Sequence, residues 1–278
     1  MSKQPTIGFI GAGNMASAII GGMLAERFKP EQIWASAPDD RQLQSLAKRF
    51  GINTTTDNRH CATQADVLVL AVKPQVMQEA CSTIHSVVQN TRPLIVSIAA
   101  GLDAATLESW LGGELPIVRC MPNTPALVGQ GASALYATPA VSAPQRQLAE
   151  QIFASVGLAV WLDEESQMHA VTALSGSGPA YCFLFLEALE DAARNAGLDA
   201  AVARQLAIQT LAGAAKMARD SGDDPATLKR NVMSPGGTTE KAIETFETAD
   251  FSGIVASAYE AARTRSGELA EQLRKSAD

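Results

Sequence analysis

A short apolar run, Thr6-Ile-Gly-Phe-Ile10, meets Gly11-Ala-Gly13-Asn-Met-Ala16, and an Ala/Gly-rich helical pattern follows from Ala16 to Leu24. The run predicts a strand, the glycines a tight turn, and the pattern beyond them a helix. Gly11 permits the turn, Gly13 keeps a side chain out of the path of a phosphate, and Ala16 lets helix and strand pack closely. The start of the helix then presents free N–H groups to an anion. Together these features predict a dinucleotide pyrophosphate site at the head of an α/β domain.

The alternation continues. Gln32–Ser36 reads as a second strand and Arg41–Phe50 as the helix after it. Asp66-Val-Leu-Val-Leu-Ala-Val72 is a near-continuous apolar run, the pattern of a parallel strand covered on both faces. Val76–Val88 follows as a helix and Pro93–Ile98 as a strand, with further strands at Leu115–Cys120, Gly131–Tyr136 and Leu158–Trp161. This predicts an α/β Rossmann domain, a doubly wound and mostly parallel sheet, over residues 1–162. From Glu164 onward no segment reads as a strand. Ala180–Ala196, Ala200–Asp220 and Phe251–Lys275 are long helical patterns, with Pro179 at a first turn and Gly197 at a stop. Residues 163–278 are therefore expected to be all-α, and their small apolar residues suggest helices packed between subunits, a dimerisation domain.

Composition narrows the function. A net charge of −7 without a basic cluster argues against nucleic acid. No apolar stretch reaches the length of a membrane span and no targeting signal is visible, so the expected location is the cytoplasm. Cys61, Cys81, Cys120 and Cys182 lie far apart without a CxxC pair, which reads as free, mostly buried thiols. His60, His85 and His169 are equally scattered, and no metal site is expected.

The cofactor's ribose end falls after the second strand. Ser36 and Arg41 suit a 2′-phosphate, whereas Asp39 and Asp40 argue partly for free ribose hydroxyls; the balance favours NADPH, with NAD as a weaker substitute. Ala71-Val72-Lys73-Pro74 and Ser97-Ile98-Ala99-Ala100-Gly101 each follow an apolar strand at the carboxyl edge of the sheet, where ligands bind. Ser175-Gly-Ser177-Gly-Pro179 has hydroxyls suited to capping the helix behind it. Ser234-Pro-Gly-Gly-Thr238-Thr239 combines glycine N–H groups, hydroxyls and a helix start, a receptor for a small carboxylate.

Five motifs, Gly8–Met15, Ala71–Pro74, Arg119-Cys-Met-Pro-Asn-Thr-Pro125, Leu174–Tyr181 and Ser234–Thr239, span the chain in one order. In them the chain resembles the pyrroline-5-carboxylate reductases, the enzymes that complete proline synthesis. The resemblance implies a homodimer, built into a decamer in many relatives. It also implies NADP contacts at Ile10, Gly11, Ala12, Gly13, Asn14, Met15, Ser36, Asn58, Ala71, Val72, Lys73, Pro74, Ile98, Ala99, Ala100 and Asn231. Glu165, Ser234, Thr238 and Thr239 fall where that family holds substrate or product. The family accepts different small residues at position 238, so Thr238 is expected to act mainly through its backbone.

The implied substrate is a cyclic imine with a carboxylate. Once protonated on nitrogen it accepts hydride readily, so positioning and charge complementarity are the protein's task. Ser234, Gly237 and Thr238 are expected to hold the carboxylate, and Thr239 to hydrogen-bond the ring nitrogen as the catalytic residue. Ser175 is expected to cap its helix. A β-hydroxyacid dehydrogenase would need a base for the hydroxyl proton. The lysine such enzymes carry after the Gly-Ser-Gly loop has no counterpart in Pro179–Phe183, and none appears before Lys216. A non-catalytic nucleotide sensor would have no use for a second anion pocket.

Overall fold

The computed structural model describes residues 4–26 and 28–275. The alternating segments form β1 (Ile7–Ile10), β2 (Ile33–Ser36), β3 (Asn53–Thr55), β4 (Val67–Leu70), β5 (Leu94–Ser97), β6 (Ile117–Met121), β7 (Gly131–Ala137) and β8 (Gly157–Trp161). They make one eight-stranded sheet in the order β3-β2-β1-β4-β5-β6-β7-β8. β1 pairs on both sides in parallel, Ile7 facing Ile33 and Val67. Only β6 and β7 run antiparallel, with Val118 opposite Ala137.

Helices α1 (Asn14–Glu26), α2 (Asp40–Phe50), α3 (Asn58–Gln64), α4 (Met77–Thr91), α5 (Ala104–Leu111) and α6 (Ala143–Ala154) connect the strands. Strand alternation divides the apolar residues between two cores. Ile7, Phe9, Val67 and Val69 pack with Ile19, Ile20, Met23 and Phe153, whereas Ile10, Leu68 and Leu70 pack with Ile84 and Leu107. Aspartates start the helices: Asp39, Asp57 and Asp103 accept from the N–H of Arg41, Arg59 and Thr106.

One strand was not legible from apolar pattern. β3 is only Asn-Thr-Thr, a polar edge strand that pairs with β2 alone, so neither burial nor alternation marks it.

The helical half contains α7 (Met168–Val171), α8 (Gly178–Asn195), α9 (Ala200–Asp220), α10 (Pro225–Asn231), α11 (Thr238–Thr248) and α12 (Phe251–Lys275). Pro179 is the second residue of α8, and Gly197 follows its end at φ +98°. Between α7 and α8 the backbone widens into a π-turn over Thr172–Gly176, closed by Ser177 N–H to Thr172 O at 2.8 Å. The expected capping role of Ser175 is corrected here. Its hydroxyl donates back to Val171 O at 3.2 Å, because the chain is already helical where a cap would stand.

The chain divides into two compact units. Residues up to Ser177 join those from Ala262 onward, and Gly178–Ala261 form the second. That second unit buries only Ala203 fully, while Phe183, Leu184, Leu206, Val232 and Ile254 are exposed. Helices with so little core of their own require another surface to cover them.

Candidate active site

The carboxyl ends of β2, β1, β4 and β5 form one edge, and strand order reverses beside β1, the place where open α/β sheets take ligands. The parallel ladder runs on past the strand ends. Gly11 N–H donates to Ser36 O at 2.8 Å, Ala71 N–H to Ile10 O at 2.8 Å, and Ile98 N–H to Leu70 O at 3.2 Å. Thus Ile10–Met15, Ser36, Ala71–Pro74 and Ile98–Ala100, predicted from separate stretches, meet at a single rim.

The two loop glycines have different duties. Gly11 sits at φ +106°, and a Cβ there would fall 2.6 Å from Ala71 O, so backbone geometry demands glycine. A Cβ on Gly13 would meet no atom within 4 Å. That open space lies above the first turn of α1, whose N–H groups have no intrahelical partner. Backbone donors with no side chain in the way fit a pyrophosphate.

At the carboxyl end of β2 Ser36 is fully buried. Its hydroxyl donates to Asn58 Oδ1 at 2.8 Å, so Ser36 fixes the Asn58 side chain from below. Asn58 Nδ2 lies 3.4 Å from Thr83 Oγ1. The two aspartates that argued for free ribose hydroxyls are already engaged. Asp39 caps α2, and Asp40 accepts from Gln44 Nε2 at 2.5 Å. Arg41 remains exposed at the start of α2, which suits a 2′-phosphate.

Glu165 stands at the opening of a short turn ahead of α7. Its Oε1 accepts from Arg119 Nη1 at 2.9 Å and from Ala104 N–H at 2.7 Å. Nearby, Asp103 pairs with Arg274 at 2.7 Å, and His169 Nδ1 lies 3.0 Å from the buried Ser266 hydroxyl. Partial burial lowers the His169 pKa, and the charges of Arg119 and Arg263 lower it further against the opposing pull of Asp103 and Glu165. In the same unit Asn123 bridges two segments, donating to Ser175 O at 3.0 Å and accepting from Ala132 N–H at 2.9 Å. Arg119 and Asn123 lay inside a recognised motif, yet the sequence assigned them no partner.

The second unit carries Asn231 at the end of α10 and Ser234–Thr239 at the start of α11. Gly236 takes φ +72°. Both glycine N–H groups are already used: Gly237 donates to Ser234 O at 2.8 Å, and Gly236 to Glu240 Oε2 at 2.7 Å. In this structure the Gly237 N–H thus closes the turn. What remains is the Ser234, Thr238 and Thr239 hydroxyls with the first-turn N–H groups of α11.

Among the described residues no group of three His, Cys, Asp or Glu is placed to hold a metal, and no helix is long and apolar enough to cross a membrane. All four cysteines are free thiols. Cys61, Cys81 and Cys120 are buried, and burial pushes Cys61 and Cys81 up to about 12.

Residues 6–101 match the family model for NADP oxidoreductase, coenzyme F420-dependent, and residues 165–269 that for pyrroline-5-carboxylate reductase dimerisation. A pyrroline-5-carboxylate reductase of Pseudomonas aeruginosa is 51% identical over 98% of this chain and 99% of its own. The solved structure of a pyrroline-5-carboxylate reductase from Coxiella burnetii superposes with a TM-score of 0.93 at 41% identity, covering 96% of this chain and 99% of that one. The Plasmodium falciparum enzyme, solved with NADP bound, gives 0.85 at 33% identity, with coverage of 96% and 98%. With relatives this similar along nearly its whole length, the chain belongs to the pyrroline-5-carboxylate reductase family.

Proposed function

We propose that this protein reduces 1-pyrroline-5-carboxylate to L-proline with NADPH, NADH serving as a weaker substitute. The observation that carries the reading is the glycine loop kept open at Gly13 for a dinucleotide, in a chain whose Ser234–Thr239 turn has hydroxyls suited to a carboxylate and whose α8 start has no lysine base. The family membership of the chain supports it.

NADPH, when bound, supplies the hydride. The glycine loop, Asn58, Lys73 and the backbone at Ile98–Ala100 would hold it. Ser234 and the first-turn N–H groups of Thr238 and Thr239 hold the substrate carboxylate, where helix dipole and hydrogen bonds act together. The Thr239 hydroxyl hydrogen-bonds the ring nitrogen, orienting the C=N carbon and relaying the proton that makes it electrophilic. Glu165 supplies a negative charge to complement the iminium. No residue has to remove a hydroxyl proton, since the substrate has none at the reacting carbon.

The chain works as a homodimer joined through its helical unit, and its dimers assemble into a decamer in the cytoplasm. The exposed apolar residues of α8, α9 and α12 support the first of these statements.

Loss of NADPH absorbance on adding pyrroline-5-carboxylate tests the reading, with NADH in parallel. Thr239→Ala should lower kcat/KM for the imine about 100-fold, the usual scale of a positioned proton donor. No oxidation of either cofactor by folded protein would overturn the substrate assignment.

A further inference from the structure

Three residues alternate along the end of β6 and the extended residue beyond it: Arg119, Met121 and Asn123. Side chains two apart on a strand share a face. The intervening Cys120 turns the other way, into the core beneath α1 and α6. Each of the three residues meets the segment that leads into α8. Arg119 binds Glu165, a Cβ on Gly176 would come 2.6 Å from Met121 Cε, and Asn123 holds Ser175 O. One strand face therefore seats the whole stretch from Glu165 to the π-turn.

Arg119 is the informative member. Its side chain is 9% exposed, whereas Glu165 is 28% exposed. A guanidinium so nearly buried requires a partner, and here the partner is a carboxylate that still reaches the surface. Arg119 and the Ala104 N–H both converge on Oε1. Oε2 has no hydrogen-bond partner among the described residues. The carboxylate is held by one oxygen and presented by the other.

We propose that Arg119 is a positioning residue for imine reduction, fixing Glu165 by Oε1 so that Oε2 faces the substrate cation. This rests on the reading of Glu165 as a substrate contact. Arg119 touches neither substrate nor cofactor and acts only through Glu165.

Steady-state kinetics with pyrroline-5-carboxylate, NADPH affinity by fluorescence and L-proline affinity by calorimetry test it in Arg119→Met, Arg119→Lys, Glu165→Gln and the double variant Arg119→Met/Glu165→Gln. Arg119→Met should raise the imine KM about tenfold and weaken proline binding to match, as expected for losing one charge-assisted contact. NADPH affinity should stay within about twofold, because the cofactor contacts lie elsewhere. Arg119→Lys should recover part of the loss. The double variant should be no worse than Glu165→Gln alone, since one interaction cannot be lost twice. Multiplying losses in the double variant, or a silent Arg119→Met beside a defective Glu165→Gln, would overturn the proposal while leaving Glu165 in the site. Unchanged imine kinetics in Glu165→Gln would overturn the reading of Glu165 itself. Should Arg119→Met fail to fold, Arg119→Lys with its own double variant carries the same comparison.

Discussion

Gln42 on α2 donates from Nε2 to the Ala12 carbonyl in the glycine loop at 2.7 Å. The bond reaches across thirty positions of sequence and pins the peptide between the two glycines. Gln42→Leu removes the donor and frees that peptide. A neutral hydrogen bond contributes about 1 kcal/mol, so KM for NADPH should rise about fivefold. The imine KM and kcat at saturating cofactor should hold. A rise in the imine KM of the same size would show that the loop is not what Gln42 supports.

The glycine loop separates a folding requirement from a binding one. Gly11→Ala forces a Cβ against Ala71 O at a φ of +106° and should cost at least about 2 kcal/mol of stability. Gly13→Ala meets open space in the folded chain, so its melting temperature should match the parent within about 2 °C. Its NADPH affinity should fall all the same, because the added methyl stands where the phosphates approach. Thermal melts and cofactor titrations on both variants check the contrast. Equal melting temperatures would refute the account of Gly11.

His169 makes stability depend on pH. Its pKa in the fold lies below the ordinary 6.5, through burial first and then the arginine charges. The unfolded chain therefore binds the proton at a higher pH than the fold does. Stability from this group is fully present above about 6.5 and declines as pH falls from there toward the folded value. Melting temperature followed from pH 7.5 to 5 should fall less steeply in His169→Gln, which keeps a partner for Ser266. Parallel curves would remove His169 from the balance.

Assembly can be tested on the helical unit. Phe183 and Leu206 are exposed on α8 and α9. Phe183→Asp or Leu206→Asp places a charge on an apolar face, at a cost of about 3 kcal/mol if that face is covered. Such a cost weakens association about a hundredfold. Sedimentation should show monomer at concentrations where the parent is a dimer. An unchanged mass would show that these residues face solvent in the assembly.

Apolar patterning made the sheet legible where strands are covered on both faces, as at Val67–Leu70, and failed at Asn53–Thr55, whose polar side chains lie at an edge. Helix α8 was legible because Pro179 and Gly197 mark its limits by backbone chemistry alone. The π-turn was not, because Ser175-Gly-Ser-Gly has the composition of a helix start wherever it occurs. The glycine loop was visible because turn, phosphate clearance and helix start are consecutive in sequence. The Arg119–Glu165 pair joins positions that only the sheet brings together, across forty-six residues, and a motif of either residue type says nothing of that distance.

The ladder that runs past the ends of β2, β1, β4 and β5 has a thermodynamic consequence for the ligand. Loops that hang free must be frozen when something binds, at about 1–2 kcal/mol for each residue ordered. Here Gly11, Ala71 and Ile98 are already locked to their neighbours through main-chain bonds. For a ligand that binds at this rim the backbone is already assembled, so its contacts are converted into affinity with little loss to ordering.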